Sequence, residues 1–446
     1  MQRISFDKFR LQLVPLLLLA ITPAAFCQPQ ADAGAPSPAS GFQHYLAAVE
    51  QNNLDLQAQR ETLTSAQAGV SIAGVRPDPQ LTAGIDSKEL YGPNKKNAAT
   101  TTIAGLAFTI ETAGKRNARI RAAESNVRLT DATVGAFRRQ LFADAASAFV
   151  EACRSTAALK RRESSLDAMR ATVRANEIRF RAGDIGKLEL VQSRVEADRF
   201  GADVVSARAD TAAAGMALSN FLGKPYQDIL GEQINCEFGQ DKLAEDADAL
   251  TRRALESRED ILAAKSGMDN ARDNIDLAKA NRYIDPVVNV GVKNTPRIYP
   301  VTDAGGTVTN SPAEHSNTLG LTVTIPIPLS RLQSGELVQA QSTLTQAQLQ
   351  MRSVLLKAET DVRTSFLQYQ AAAENLQSYR EHVLDDAERL LEGVRLSYRK
   401  GAASLLDLLN AQRTADDIYL AYLQAQANLA NAKVKLQQSA GKRPEI

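Results

Sequence analysis

The chain has 446 residues, 44% apolar and 23% charged, and its 52 Lys and Arg nearly cancel its 51 Asp and Glu. That balance excludes a strongly basic nucleic-acid binder, which needs surplus positive charge to displace counterions, and a disordered chain of high net charge. Three Cys and three His exclude a disulfide-built scaffold and leave little for a metal site, and 5% aromatics with no Trp is thin for a globular core.

At the N-terminus, Arg3, Lys8 and Arg10 precede an apolar run from Leu11 to Phe26. The run is too short and too interrupted by proline for a spanning helix, so residues 1–27 read as a secretory signal peptide. Cys27 has two fates, removal with the leader or acylation as the first mature residue; the bulky Phe26 before it disfavours acylation. Residues 28–40 form a flexible Pro/Ala linker. No later segment reaches 18 consecutive apolar residues, so no helical span follows. The mature chain is then periplasmic, secreted or in an outer membrane.

No proline falls between Pro93 and Pro225, or between Pro328 and Pro444. Proline breaks helix interiors at roughly 3 kcal/mol, so these two stretches read as long helices. The chain also repeats itself. FRAGDIGKLELVQSR matches YRKGAASLLDLLNAQ at an offset of 218 residues, Gly183 on Gly401 and Glu189 on Asp407. RPDPQLTAGI matches YIDPVVNVGV at an offset of 207, Pro79 on Pro286. Two repeats follow, 41–225 and 244–441, joined by a connector over 226–243 and followed by a tail over 442–446. Each predicts a helix (42–76; 244–282), a β-hairpin, a long helix (114–180; 331–398), a glycine turn and a last helix (188–222; 405–439). At 1.5 Å per residue the long helix spans roughly 100 Å. In its second copy Val362, Phe366, Tyr369, Ala373 and Leu376 form a heptad-type stripe, which Val383, Ala387, Leu390 and Val394 resume after a phase slip.

The hairpins alternate. Leu106, Phe108 and Ile110 in the first, and Val288, Val290, Val292, Leu319, Leu321, Val323, Ile325 and Ile327 in the second, share an apolar face opposite small or polar residues. Ten-residue segments of this kind are the pattern of transmembrane β-strands, joined here by polar loops over 87–100 and 295–316. Four strands cannot close a barrel, and an open edge in lipid costs several kcal/mol per group, so the chain must oligomerise. The fold class is mainly α, with four β-strands per chain contributed to a shared barrel.

On these features the chain resembles the TolC-like outer-membrane efflux family. The shared features are the paired halves, Asp78-Pro79 and Asp285-Pro286 opening a strand in each, and the turn around Gly401. FTIETAGKRNARIRAAE and LTVTIPIPLSRLQSGELVQAQ look like the outer-membrane component of cobalt–zinc–cadmium resistance-nodulation-division (RND) efflux systems. The resemblance implies a homotrimer with a 12-stranded barrel in outer-membrane lipid and a helical tunnel across the periplasm. It implies a periplasmic membrane-fusion adaptor and an inner-membrane RND pump as partners. Of the channel constriction it implies Tyr398 at the tyrosine position, Asp407 and Asn410 at the two acidic-ring positions, and Glu189 at the acidic position of the first turn. Ala403 stands where some members carry an arginine that locks the closed state, which leaves the residues of the lock open here.

Physical chemistry agrees with the placement. Gly183 and Gly401 follow the long helices, where a left-handed residue lets the chain turn. A ring of Asp407 around an axis attracts cations, although Asp407 and Glu189 also suit the first turn of a helix. No catalytic motif is present, no cofactor is implied, and energy for transport must come from a partner. His44, His315 and His382 fall in different elements; Cys153 and Cys236 read as buried small residues, with a disulfide between them left open. Heavy-metal cations are the expected cargo. The alternatives are an exit duct for organic drugs or for a type I protein or peptide secretion system, and, outside the class, an adhesive coiled-coil protein.

Overall fold

A computed structural model describes residues 41–86, 100–231, 234–236, 245–297, 299–310, 314–327 and 334–446. The signal peptide, the linker and Cys27 lie outside the described residues, as do most of the 87–100 loop and parts of the connector and of the 295–316 loop.

The first half runs α1 (Gly41–Asn52), α2 (Leu54–Ala73), β1 (Gln80–Asp86), β2 (Thr101–Thr109), α3 (Lys115–Ala182) and α4 (Lys187–Leu222). A single turn, α5 (Gln227–Leu230), leads on. The second half runs α6 (Ala247–Ser257), α7 (Glu259–Asn281), β3 (Val287–Arg297), β4 (Pro300–Thr302), β5 (Val308–Asn310), β6 (Glu314–Thr324), α8 (Gly335–Ser378), a π-helical turn (Tyr379–Val383), α9 (Leu384–Arg399) and α10 (Leu405–Ser439).

The helix predicted over 42–76 is broken at Asn53, which is extended and caps α2: its Oδ1 accepts from Leu56 N–H at 2.9 Å. The helix predicted over 244–282 is broken at Arg258, also extended. Its guanidinium is buried and binds Asp260 at 2.6 Å, Asp361 at 3.3 Å and the Ser439 carbonyl at 3.2 Å. The second long helix starts at Gly335 and carries the π-helical turn between the two stretches of the expected stripe. Beyond it the inward positions are Ala387, Leu391, Val394 and Tyr398; Val383 and Leu390, expected inside, are exposed. The five-residue π turn resets the helical face, so the seam does not resume where an uninterrupted heptad would put it.

The four long strands form one antiparallel sheet in the order β1-β2-β3-β6. Leu81, Leu106, Val290 and Leu321 align in one row across it, and Ala83, Ala104, Val292 and Leu319 in the next. This face is exposed: Leu81 and Leu319 are both 76% accessible. The opposite face carries Thr82, Gly105, Gly291 and Gly320 in one row. The 295–316 stretch, expected as loop, is largely strand, because β3 and β6 run long and β4–β5 add a small hairpin beyond them. Ile325 and Ile327, expected in a strand, follow the end of β6. Asp285 anchors the base of the sheet to α3, accepting from Thr112 N–H at 2.9 Å and Lys115 Nζ at 2.6 Å.

The largest core lies midway along the helices. Tyr45, Leu46, Val49, Leu56, Phe149, Leu218 and Leu222 pack there from α1, α2, α3 and α4. Cys153 on α3 and Cys236 form a disulfide with Cα atoms 5.5 Å apart, which resolves the alternative left open for them. The C-terminal residues return to this belt: Pro444 is buried and Ile446 packs against Val150, Ala427 and Ala430.

Candidate functional site

The end of the molecule remote from the sheet is formed by the α3–α4 and α9–α10 turns. Each closes with the same hydrogen bonds. Gly183 (φ 86°) donates to the Phe180 carbonyl at 3.0 Å and Asp184 to Arg179 at 2.8 Å. Gly401 (φ 77°) donates to Tyr398 at 3.0 Å and Ala402 to Ser397 at 2.9 Å. Both are Schellman closures, in which the positive φ demands glycine and the last helical carbonyls are satisfied.

The next helices start differently. Ser404 caps α10 in a capping box: Asp407 N–H donates to Ser404 Oγ at 3.2 Å, and Ser404 N–H donates back to Asp407 Oδ2 at 3.0 Å. The Ser404 hydroxyl and backbone bonds hold the Asp407 carboxyl below the usual carboxylate range, and the side chain is exposed at the tip. Asn410 is exposed one turn further along α10. Gly186 caps α4 with no side chain, which leaves Glu189 in the first turn of α4 without a capping role for its carboxylate.

Glu189 is instead reached by Tyr398. The Tyr398 hydroxyl lies 3.0 Å from Glu189 Oε1 and 2.8 Å from Asn176 Oδ1, and can donate its proton to either. Burial, with Glu189 alongside, raises the phenol above its ordinary value. The ring is buried among Leu166, Met169, Phe200, Leu405 and Leu408, with the Arg179 guanidinium 5.2 Å from its centroid. The structure therefore brings Tyr398 and Glu189 together from opposite halves of the chain, and leaves Asp407 and Asn410 exposed and apart from them.

No sequence motif announces the polar contacts further from the tip. Arg413 grips Glu196 through two bonds, 2.8 and 2.5 Å, between α10 and α4. Asp416 accepts from Arg161 Nε at 2.8 Å, Ser165 Oγ at 2.7 Å and Gln412 Nε2 at 3.0 Å. Gln412 in turn accepts from Arg395 at 2.5 Å, whose guanidinium burial pushes below its usual range. Arg413 is 217 positions from Glu196, and Asp416 is 255 from Arg161 and 251 from Ser165, so no local pattern marks those contacts. Among the described residues no group of His, Cys, Asp and Glu is arranged to hold a metal ion, and no helix is long and apolar enough to cross a membrane.

A sheet with an exposed apolar face, set at one end of helices about 100 Å long, defines a channel protein of an outer membrane. The chain belongs to the outer membrane efflux protein family, whose profile matches residues 46–224 and 250–442. It is 25% identical over 378 residues to the cobalt-zinc-cadmium resistance protein CzcC of Cupriavidus metallidurans, covering 85% of this chain and 84% of that one. It is 24% identical to the outer membrane protein TolC of Escherichia coli, covering 80% and 71%. Two solved structures share the fold. CusC superposes with a TM-score of 0.71 at 19% identity over 90% of this chain and 92% of its own. VceC of Vibrio cholerae superposes with a TM-score of 0.68 at 20% identity, over 91% and 97%. The protein is thus an outer-membrane efflux channel with a helical tunnel on the periplasmic side, and not an enzyme.

Proposed function

We propose that the chain is the exit duct of a tripartite efflux system, a homotrimer passing heavy-metal cations from a periplasmic membrane-fusion adaptor and an inner-membrane RND pump to the exterior. The observation that carries the barrel is the four-stranded sheet, apolar on one exposed face and, among the described residues, open at both edges. In lipid each unsatisfied edge group costs several kcal/mol, so the edges must meet other copies. Two copies supply eight strands and three supply twelve; the polar inner face asks for a watery lumen, which favours three. The cargo rests on the cobalt-zinc-cadmium relative, similar across most of both chains.

The constriction we propose lies at the turns. Tyr398 and Glu189 tie the second turn to the first in the closed state. Asp407 and Asn410 line the tip, where three copies of the carboxylate favour cations over anions. With Ala403 in place of an arginine, the charged contact we assign to the lock is the bidentate Arg413–Glu196 pair between α10 and α4.

The deciding experiment is a growth challenge of a strain lacking this chain, with cobalt, zinc, cadmium, nickel and copper salts set against dyes, detergents and antibiotics. Hypersensitivity confined to metals is the expected result. Sensitivity to organic compounds alone would keep the duct and replace the metal pump by a drug pump. Recovery of the chain as a soluble periplasmic monomer would defeat the duct.

A further inference from the structure

The internal repeat reaches into the strands and carries information on how copies meet. GLAFTI in β2 (Gly105–Ile110) matches GLTVTI in β6 (Gly320–Ile325), an offset of 215. DPQLTAGI before and in β1 matches DPVVNVGV in β3, an offset of 207. Thus β6 is the counterpart of β2, and β1 is the counterpart of β3. Within one chain β2 pairs with β3. Among the described residues nothing covers the outer edge of β6 or of β1.

The closed-barrel reading above already brings β6 of one copy against β1 of the next; resting on that reading, we propose the register of the join, with Gly320 opposite Gly84, which fixes it residue by residue. The observed β2–β3 pairs Gly105–Gly291, Ala107–Asn289 and Thr109–Val287 translate into Gly320–Gly84, Thr322–Thr82 and Thr324–Gln80.

Three independent features agree. The first is side-chain parity: one residue of slip would turn every side chain of a strand to the wrong face. In this register Leu319, Leu321 and Val323 stand beside Ile85, Ala83 and Leu81, apolar against apolar, and the two glycines fall on the opposite face. The second is close approach. A Cβ on Gly291 would stand 2.9 Å from the Ala104 carbonyl, and one on Gly105 2.9 Å from the Val290 carbonyl. Glycine is required on both sides of that join. Gly84 has nothing within 4 Å of its Cβ position, and Gly320 has only the Gly291 carbonyl, at 3.9 Å. Among the described residues nothing inside one chain explains glycine at either place; a neighbour strand approaching as β3 approaches β2 explains both. The third is continuity, since the row Gly105–Gly291–Gly320 then extends into the next copy through Gly84.

The test uses cysteine pairs in the full chain, in outer membranes. Ile110 N–H donates to the Pro286 carbonyl at 2.9 Å, which makes Ala107–Asn289 a non-hydrogen-bonded pair, the kind with the closest side chains. Their translated counterparts are Thr82 with Thr322 and Gln80 with Thr324. Mild oxidation of T82C/T322C and of Q80C/T324C should give covalent dimers and trimers. The mismatched variants Q80C/T322C and T82C/T324C should give about tenfold less, because diagonal neighbours exceed disulfide reach. Strongest linking in the mismatched variants would overturn the register while leaving the oligomer. No linking in any of the four, with trimers still present by mass, would show that other edges join. Monomers alone would remove the barrel itself. As a second readout, Gly84→Val should abolish trimers while the monomer stays folded; unchanged trimers would overturn the close approach.

Discussion

Tyr398 has one hydroxyl proton and two acceptors within reach, Asn176 and Glu189. Replacing it by Phe keeps the buried ring and deletes only this tie, a loss of about 1 kcal/mol. Tyr398→Phe should therefore leave thermal stability nearly unchanged and raise single-channel conductance in a planar bilayer; unchanged conductance would remove Tyr398 from the gate. The pH dependence has a definite sign. The folded state holds the phenol proton more tightly than the unfolded chain does, so this contribution is complete below about pH 10 and lost as pH rises above it. An opening transition confined to strong alkali and absent from Tyr398→Phe is the expected titration. At this scale the turn pattern marked Gly183 and Gly401, whose φ is positive, while Tyr398 and Glu189 were marked by the resemblance alone and are brought into contact by the fold. Sequence was silent on Asn176, and on Glu196 and Asp416, which owe their roles to partners brought close only by folding.

At the scale of elements, both predicted first helices fail at a residue that does other work. Asn53 caps α2 and donates from Nδ2 to the Phe221 carbonyl at 2.9 Å, joining α1, α2 and α4. Asn53→Ala removes a cap and leaves the half-buried Phe221 carbonyl without this partner, and should cost about 2 kcal/mol in chemical denaturation. Arg258 turns the corner between α6 and α7 and holds α8 and the end of α10. Its removal leaves Asp260 and Asp361 short of a buried cation, and Arg258→Met should cost about 3 kcal/mol or more. Composition favoured helix on both sides of each break. The signals for a stop were the Asn-Leu-Asp and Arg-Glu-Asp starts that follow, acidic residues at a helix N-terminus. The Cys153–Cys236 bond had no such signal, because spacing alone does not report pairing. It closes a loop of 83 residues, so reduction should lower stability by about 4 kcal/mol, read as a drop in thermal midpoint on adding reductant.

For the whole molecule, the period-two alternation already separated a lipid side from a lumen side, because each strand must satisfy both solvents at once. What it could not supply was the neighbour: a single chain shows an apolar sheet exposed to nothing, with Leu321 70% accessible. The contrast between adjacent β6 residues tests that assignment. Leu321 lies in the apolar row with Val290, and Thr322 lies in the opposite row with Asn289. A charge on the lipid side costs about 2–4 kcal/mol near mid-membrane, whereas a charge in a water-filled lumen costs little. Leu321→Arg should therefore fail to assemble in the outer membrane. Thr322→Arg should assemble and instead shift ion selectivity toward anions, since in the proposed trimer three added cations would line one level of the lumen. If both variants assembled equally, the apolar face would not be in lipid; if both failed, the inner face would be packed rather than wet, and a conducting barrel could not be built from this sheet.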